Sequence, residues 1–155
     1  MMDTAAMLEP MTFDHAGISV ANLEVSRQFY ADVLGFTTLE DEFALPHYGL
    51  RGAVILNPQG VRIELFERQG SSPVRKGNPS GDPIIQGWFQ LALSVKDLDT
   101  TFAELVRRGA RSAMDPRVAP DGRARVAFIL DPDNNLIELL QRPVSPAPVA
   151  VTGPA

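Results

Sequence analysis

Four side chains in this sequence make up a plausible metal-binding set: His15, Glu64, Gln90 and Glu138. An imidazole, two carboxylates and an amide oxygen suit an octahedral divalent ion and leave positions for water or substrate. Two carboxylates that converge without a cation repel each other, and a divalent ion removes that cost. Taken singly, each residue has a plainer reading. A lone strand histidine is more often not a ligand, and a lone glutamate on a half-buried strand is more often solvated or paired. The spacing shifts that balance. His15 and Gln90 are 75 positions apart and Glu64 and Glu138 are 74 apart, and these are the offsets of an internal repeat.

The repeat is direct. ILNPQGVRIELFER (Ile55–Arg68) and ILDPDNNLIELLQR (Ile129–Arg142) share isoleucine, leucine, proline, isoleucine, glutamate, leucine and arginine at matching places. HAGISVANLEVSRQFY from His15 corresponds in the same way to QLALSVKDLDTTFAEL from Gln90. Each copy is then one structural unit, and two copies make a paired domain rather than a solenoid.

Each unit reads as βαβββ. Alternation predicts strands over Phe13–Val20, Thr37–Phe43, Gly49–Leu56 and Val61–Glu67 in the first copy. In the second it predicts Trp88–Val95, Arg111–Val118, Arg123–Leu130 and Leu136–Gln141. Asn22 and Asp97 are N-cap residues, and Gly35 and Gly109 can end their helices in the left-handed conformation. Leu23, Ser26, Tyr30 and Val33 form one buried helix stripe, and Leu98, Phe102, Leu105 and Val106 the other. The last hairpin of each copy turns at Asn57–Gly60 and at Asp131–Asn134. The fold class is therefore α+β: two tandem βαβββ modules forming a curved mixed sheet around a cleft, with helices on the outer face.

Strand side chains alternate between faces. Ala16, Ile18 and Val20 oppose His15; Ile63 and Leu65 oppose Glu64; Leu91 and Leu93 oppose Gln90; Ile137 and Leu139 oppose Glu138. The apolar sets should meet the helices, which leaves the four polar residues on the other face. A pseudo-twofold axis relating the modules would bring them into one cleft.

Composition bounds the rest. A chain of 155 residues fits one domain with a real core. Residues 1–11 read as a flexible tail, 12–68 as module 1, 69–86 as a linker rich in glycine, proline and serine, 87–142 as module 2, and 143–155 as a disordered tail rich in proline and alanine. A net charge of −5 argues against nucleic acid. There is no cysteine, which excludes disulfides, thiolate metal sites and cysteine nucleophiles. With no apolar run of membrane length and no signal-peptide pattern at Met1–Met11, a cytoplasmic protein is expected.

From Thr12 to Arg142 the chain resembles the vicinal oxygen chelate superfamily, in the segments HAGISVANLEVSRQFYADVLGF, GVRIELFE, FQLALSVKDLD and DPDNNLIEL. That group includes glyoxalase I, extradiol dioxygenases, methylmalonyl-CoA epimerase, and the fosfomycin and bleomycin resistance proteins. These motifs are specific for the superfamily and not for one activity. Extradiol dioxygenases and fosfomycin-modifying members need a second histidine where this chain has Gln90, and methylmalonyl-CoA epimerases carry a different set. One form of glyoxalase I has one glutamine, one histidine and two glutamates, with the glutamine in the first module rather than the second. The site is most similar to that form. The resemblance implies one divalent ion (Ni, Zn, Co, Mn or Fe(II)) and a lyase or isomerase reaction. A proton next to a carbonyl would be transferred through a metal-stabilised enediolate. Glu64 is the first choice for the proton shuttle, and Glu138 is a ligand or second base.

Substrate contacts are expected at His47, Arg51, Arg62, Phe66, Trp88 and Leu140, each of which has an ordinary structural reading as well. Arg68, Arg75 and Lys76 could make the linker a flap over an anion, although a charged linker is the simpler reading. The arginines that hold glutathione in glyoxalase I have no evident counterpart. Two other readings stay open: a small-molecule binding protein of the bleomycin-resistance kind that works without metal, and a metal-dependent dioxygenase or biosynthetic enzyme. The expected partners are a small-molecule substrate and a second copy of the chain in a homodimer.

Overall fold

The computed structural model describes residues 11–73, 77–84 and 86–143. Of the tails expected at residues 1–11 and 143–155, residues 1–10 and 144–155 lie outside the described residues, as do the linker residues Arg75 and Lys76. The elements run β1 (Ala16–Val20), α1 (Leu23–Asp32), β2 (Thr38–Leu45), β3 (Leu50–Leu56) and β4 (Arg62–Arg68). The order then repeats as β5 (Gln90–Ser94), α2 (Leu98–Arg107), β6 (Arg111–Val118), β7 (Arg125–Leu130) and β8 (Leu136–Gln141). The two βαβββ modules are thus present in tandem.

Each module is a four-stranded mixed sheet, ordered β1-β4-β3-β2 in the first and β5-β8-β7-β6 in the second. β1 lies parallel to β4 and β5 parallel to β8, while the other pairs are antiparallel. The parallel ladder follows from the helix that connects β1 back across the module. β1 and β5 are edge strands of two separate sheets.

The helices start and stop where the sequence indicates. Asn22 accepts from the Val25 amide and Asp97 from the Thr100 amide. Gly35 (φ 78°) and Gly109 (φ 103°) follow the helices in the left-handed region. Asn134 takes φ 66° at the place where the first module has Gly60 at φ 80°. Leu23, Ser26, Tyr30 and Val33 are all buried, as their spacing requires. In α2 only part of the stripe holds. Leu98 and Leu105 are buried and Phe102 packs against the core, whereas Val106 points outward. The residue next to Leu105 is turned about 100° round the helix, too far to share its face.

One continuous core joins the modules, built from Val20, Ile63 and Leu65 in the first and Ile129, Ile137 and Leu139 in the second, with both helices packed on it. Polar contacts reinforce the junction. Tyr30 Oη donates to Asp131 Oδ2 (3.2 Å), and Asp133 Oδ2 accepts from the Ala21 amide (3.1 Å) and Ser26 Oγ (3.4 Å). Within the linker, residues 77–82 are tied together by hydrogen bonds. Asp82 Oδ2 accepts from the Gly77 and Asn78 amides, and Asn78 Oδ1 from those of Ser80 and Gly81. Gly77 lies so close to Leu130 and Asn134 that a β-carbon there would clash. No helix among the described residues is long and apolar enough to cross a membrane.

Candidate metal centre

His15 immediately precedes β1 and Gln90 is the first residue of β5. Glu64 on β4 stands opposite Gly17 on β1, and Glu138 on β8 opposite Ala92 on β5. The two modules therefore set their polar residues in equivalent registers. The apolar residues between them (Ile63, Leu65, Ile137 and Leu139) are buried on the helix side.

The four side chains form two pairs. In module 1, His15 Nε2 lies 2.9 Å from Glu64 Oε2, and His15 Nδ1 lies 2.7 Å from Asp14 Oδ2. The hydrogen bond with Asp14 raises the His15 pKa; burial opposes it, and the negative charge of Glu64 adds to the rise. In module 2, Gln90 Nε2 donates to Glu138 Oε2 at 2.6 Å. Glu138 is half-buried, with Leu136 and Leu140 two residues away on the same face and Phe128 opposite in register. Burial raises its pKa, opposed by the charge of Arg142 and the bond from Gln90.

The donor chemistry fits a divalent ion. Because Glu138 takes the amide N–H₂ of Gln90, the amide oxygen points elsewhere, and Gln90 Oε1 is buried without a hydrogen-bond partner. A buried acceptor left unpaired costs about 1–3 kcal/mol, and an ion would satisfy it. Among the described residues of one chain, no three histidine or acidic side chains are grouped so as to hold a metal. Each module thus holds one pair of polar side chains, His15 with Glu64 and Gln90 with Glu138.

A cavity of about 560 Å³ runs along the free edge of β1 and reaches the start of β5 and β8. His15 and Gln90 line it, together with Phe13, Tyr30, Trp88 and Asp133. Glu64 and Glu138 lie outside its wall. Phe13 and Trp88 are repeat-equivalent and exposed by 78% and 98%, which makes this rim an unusually apolar stretch of surface.

The residues expected to contact substrate are placed as follows. Phe66 lies on the same face as Glu64, in edge contact with Phe43 (ring centroids 5.9 Å apart) and close over Gly17. Leu140 flanks Glu138, half-buried. Trp88 lines the cavity and does not cover the linker. His47 is exposed, on a 3-10 turn after β2, the strand farthest from β1. Both arginines are already engaged. Arg51 bridges Glu24 and Glu67, and Arg62 forms a two-pronged pair with Glu40 and reaches Asp14. A guanidinium committed to carboxylates on both sides has few donors left for an anion. Sequence reasoning missed Asp14, Phe13 and Phe43. The repeat offset could have found Phe13, since it pairs with Trp88.

Comparison with known proteins identifies the family and the fold. The model of the Glyoxalase/Bleomycin resistance protein/Dioxygenase superfamily matches residues 12–139. The uncharacterized protein YaeR of Escherichia coli (strain K12) is 34% identical over 128 residues, covering 83% of this chain and 94% of that protein. A probable lactoylglutathione lyase of Synechocystis sp. is 30% identical, covering 82% and 92%. Among solved structures, a glyoxalase family protein from Enterococcus faecalis shares the fold (TM-score 0.71, 23% identity, 83% of this chain and 96% of that one). A glyoxalase I mutant from Zea mays does so with a TM-score of 0.65 and 22% identity, over 83% of this chain, which spans only 44% of the maize protein. With the family model matching residues 12–139 and a relative 34% identical over 83% of the chain, this chain belongs to the Glyoxalase/Bleomycin resistance protein/Dioxygenase superfamily.

Proposed function

We propose that the protein is a metal-dependent lyase or isomerase of the glyoxalase type, moving a proton between neighbouring carbons of a small carbonyl substrate. The observation that carries this reading is Gln90 Oε1, which has no partner of its own while the nitrogen of the same amide donates to Glu138. The relatives named probable lactoylglutathione lyase favour the same class. His15, Glu64, Gln90 and Glu138 would hold one divalent ion (Ni, Zn, Co, Mn or Fe(II)). When bound, the ion would supply Lewis acidity toward the substrate carbonyl. Glu64 accepts the proton from the carbon beside the carbonyl and returns it to the adjacent carbon, so no net proton is gained or lost. Glu138, in its apolar surroundings, holds Gln90 in place. Phe66 and Leu140 flank the two glutamates and limit water around the reacting carbon.

Each chain carries two such pairs, so we further propose that module 1 of one copy meets module 2 of another in a homodimer. The partner-facing surface would include the exposed Phe13 and Trp88.

The test is metal content by mass spectrometry on untagged protein, beside a Glu64→Ala, Glu138→Ala double variant. About one divalent ion per site, lost in the variant, supports the reading. Hemithioacetals of 2-oxoaldehydes are then the first substrates, with Glu64→Gln folded and inactive. No metal uptake, and no thermal shift with Ni, Zn, Co, Mn or Fe(II), overturns it. One observation favours a second reading in that event: the aromatic-rimmed cavity takes neither glutamate into its wall, as suits a protein that simply binds an apolar small molecule.

A further inference from the structure

The histidine of module 1 stands at the end of a row of charged side chains that module 2 lacks. Glu40 grips Arg62 with both carboxylate oxygens, at 2.6 Å from Nε and 2.7 Å from Nη2. Arg62 Nη1 reaches Asp14 Oδ1 at 3.4 Å, and Asp14 Oδ2 meets His15 Nδ1 at 2.7 Å. At the corresponding places of module 2, Phe89 stands for Asp14, Leu136 for Arg62 and Gln90 for His15. The charged arm occurs only where the polar group at the strand start is an imidazole.

Chemistry explains the difference. A neutral imidazole carries one proton on either nitrogen, and only the bare nitrogen can bind a metal. An amide has fixed donor and acceptor ends, so Gln90 needs only to be oriented, which Glu138 does. His15 needs its proton assigned. Two carboxylates compete for it: Asp14 at Nδ1 and Glu64 at Nε2, with the Asp14 contact the shorter. Asp14 is exposed and adjacent in sequence, so by itself its pull would be weak. Arg62, held by Glu40, keeps it in place.

We propose that Asp14 is a positioning residue. It holds the proton on Nδ1 of His15 and so presents Nε2 bare for a metal, with Arg62 and Glu40 as its support. The metal clause rests on the function proposed above; the tautomer clause does not. A carboxylate behind a metal-binding histidine typically contributes about 10–100-fold in metal affinity.

The test uses the full-length, metal-free protein with ¹⁵N-labelled histidine, at a pH where the imidazole is neutral. The His15 signals are assigned by comparison with His47→Gln. Zn²⁺ affinity is measured separately by competition with a chelating dye. In the wild type Nδ1 is expected to be protonated and Nε2 bare. Asp14→Ala should mix or invert the tautomers and weaken Zn²⁺ about 10–100-fold. Asp14→Asn, whose Oδ1 still accepts, should keep the tautomer and most of the affinity. Arg62→Leu, which copies module 2, should fall between. A wild type protonated on Nε2, or an Asp14→Ala variant unchanged in both tautomer and affinity, overturns the proposal. A wild type that takes up no Zn²⁺ overturns the metal reading instead. The tautomer comparison then decides the role of Asp14 alone: a change in Asp14→Ala supports it and the same tautomer in both proteins overturns it.

Discussion

Arg51 and Arg125 occupy the same place in the two modules, and each clamps the first turn of its own helix. Arg51 takes both oxygens of Glu24, and Arg125 both oxygens of Asp99. The acidic partners are repeat-equivalent too, and each sits where the positive end of the helix dipole favours it. Arg51 is therefore a structural residue. Arg51→Ala should lower stability only slightly, because the pairs are partly exposed and screened. The KM of any substrate found should not change. Denaturant unfolding and steady-state kinetics on one preparation check both, and a raised KM with unchanged stability would return Arg51 to the substrate site.

Glu67 and Gln141 do the same work with different chemistry. Glu67 Oε2 accepts from the Leu23 amide at the start of α1, and Gln141 Oε1 from the Leu98 amide at the start of α2. Arg51, and then the Leu23 amide, hold the Glu67 pKa below its ordinary value. A carboxylate whose pKa is depressed on folding stabilises the protein above its unfolded pKa, about 4.3. That contribution is lost as pH falls through the lower folded value. Glu67→Gln keeps the cap but cannot titrate. Melting curves from pH 7 downward should show a smaller loss of stability on acidification in Glu67→Gln than in the wild type; parallel curves would count against this.

Asp131 is fully buried at the module junction. It accepts from Tyr30 Oη, from the Asp133 and Asn135 amides, and from Asn135 Nδ2. Asp131→Ala strands several buried donors, each costing about 1–3 kcal/mol, and should lower stability by about 3 kcal/mol or more. Tyr30→Phe removes one donor and should cost about 1 kcal/mol. Asp131→Asn keeps an acceptor oxygen for the Asp133 and Asn135 amides but loses the one facing Tyr30 and Asn135 Nδ2, and should fall between the wild type and Asp131→Ala. Chemical denaturation of the three variants sets the order.

Gly52 shows no left-handed strain; it is small because Phe43 lies over it. A β-carbon there would sit 2.5 Å from Phe43 Cζ and 2.7 Å from the Leu65 carbonyl oxygen. The ring can turn away but the backbone cannot. Gly52→Ala should therefore destabilise by about 1–3 kcal/mol and separate Phe43 from Phe66, beside Glu64. Thermal melting with near-ultraviolet circular dichroism reads both effects.

Much of the fold was legible because the repeat doubles every signal. The caps Asn22 and Asp97, the turns at Gly60 and Asn134, and β6 and β8 at their full bounds all follow from local pattern. The sequence placed His15, Glu64, Gln90 and Glu138 on one face and expected them in one cleft; that His15 pairs with Glu64 and Gln90 with Glu138 follows from the parallel registers of the built sheets. What could not be read is set by contacts across strands. The partners of Arg51 and Arg62 lie 16, 27 and 22 residues away, joined only once the sheet is formed. Val106 mimics a stripe residue because adjacent apolar residues fit a helical pattern in one dimension. How the two pairs relate depends on how one sheet meets another, and no periodicity within a strand encodes that.

β1 and β5 are edge strands, each bonded to a neighbour on one side only. Half of their amides therefore face away from their own sheet. In a lone chain those amides should trade hydrogen with solvent far faster than those of β4 and β8, which are bonded on both sides. A docked second copy would slow them. If two copies dock on these edges, the exchange rates of the two short strands would rise on dilution and fall at higher concentration, a readout that needs no substrate, metal or catalytic assay.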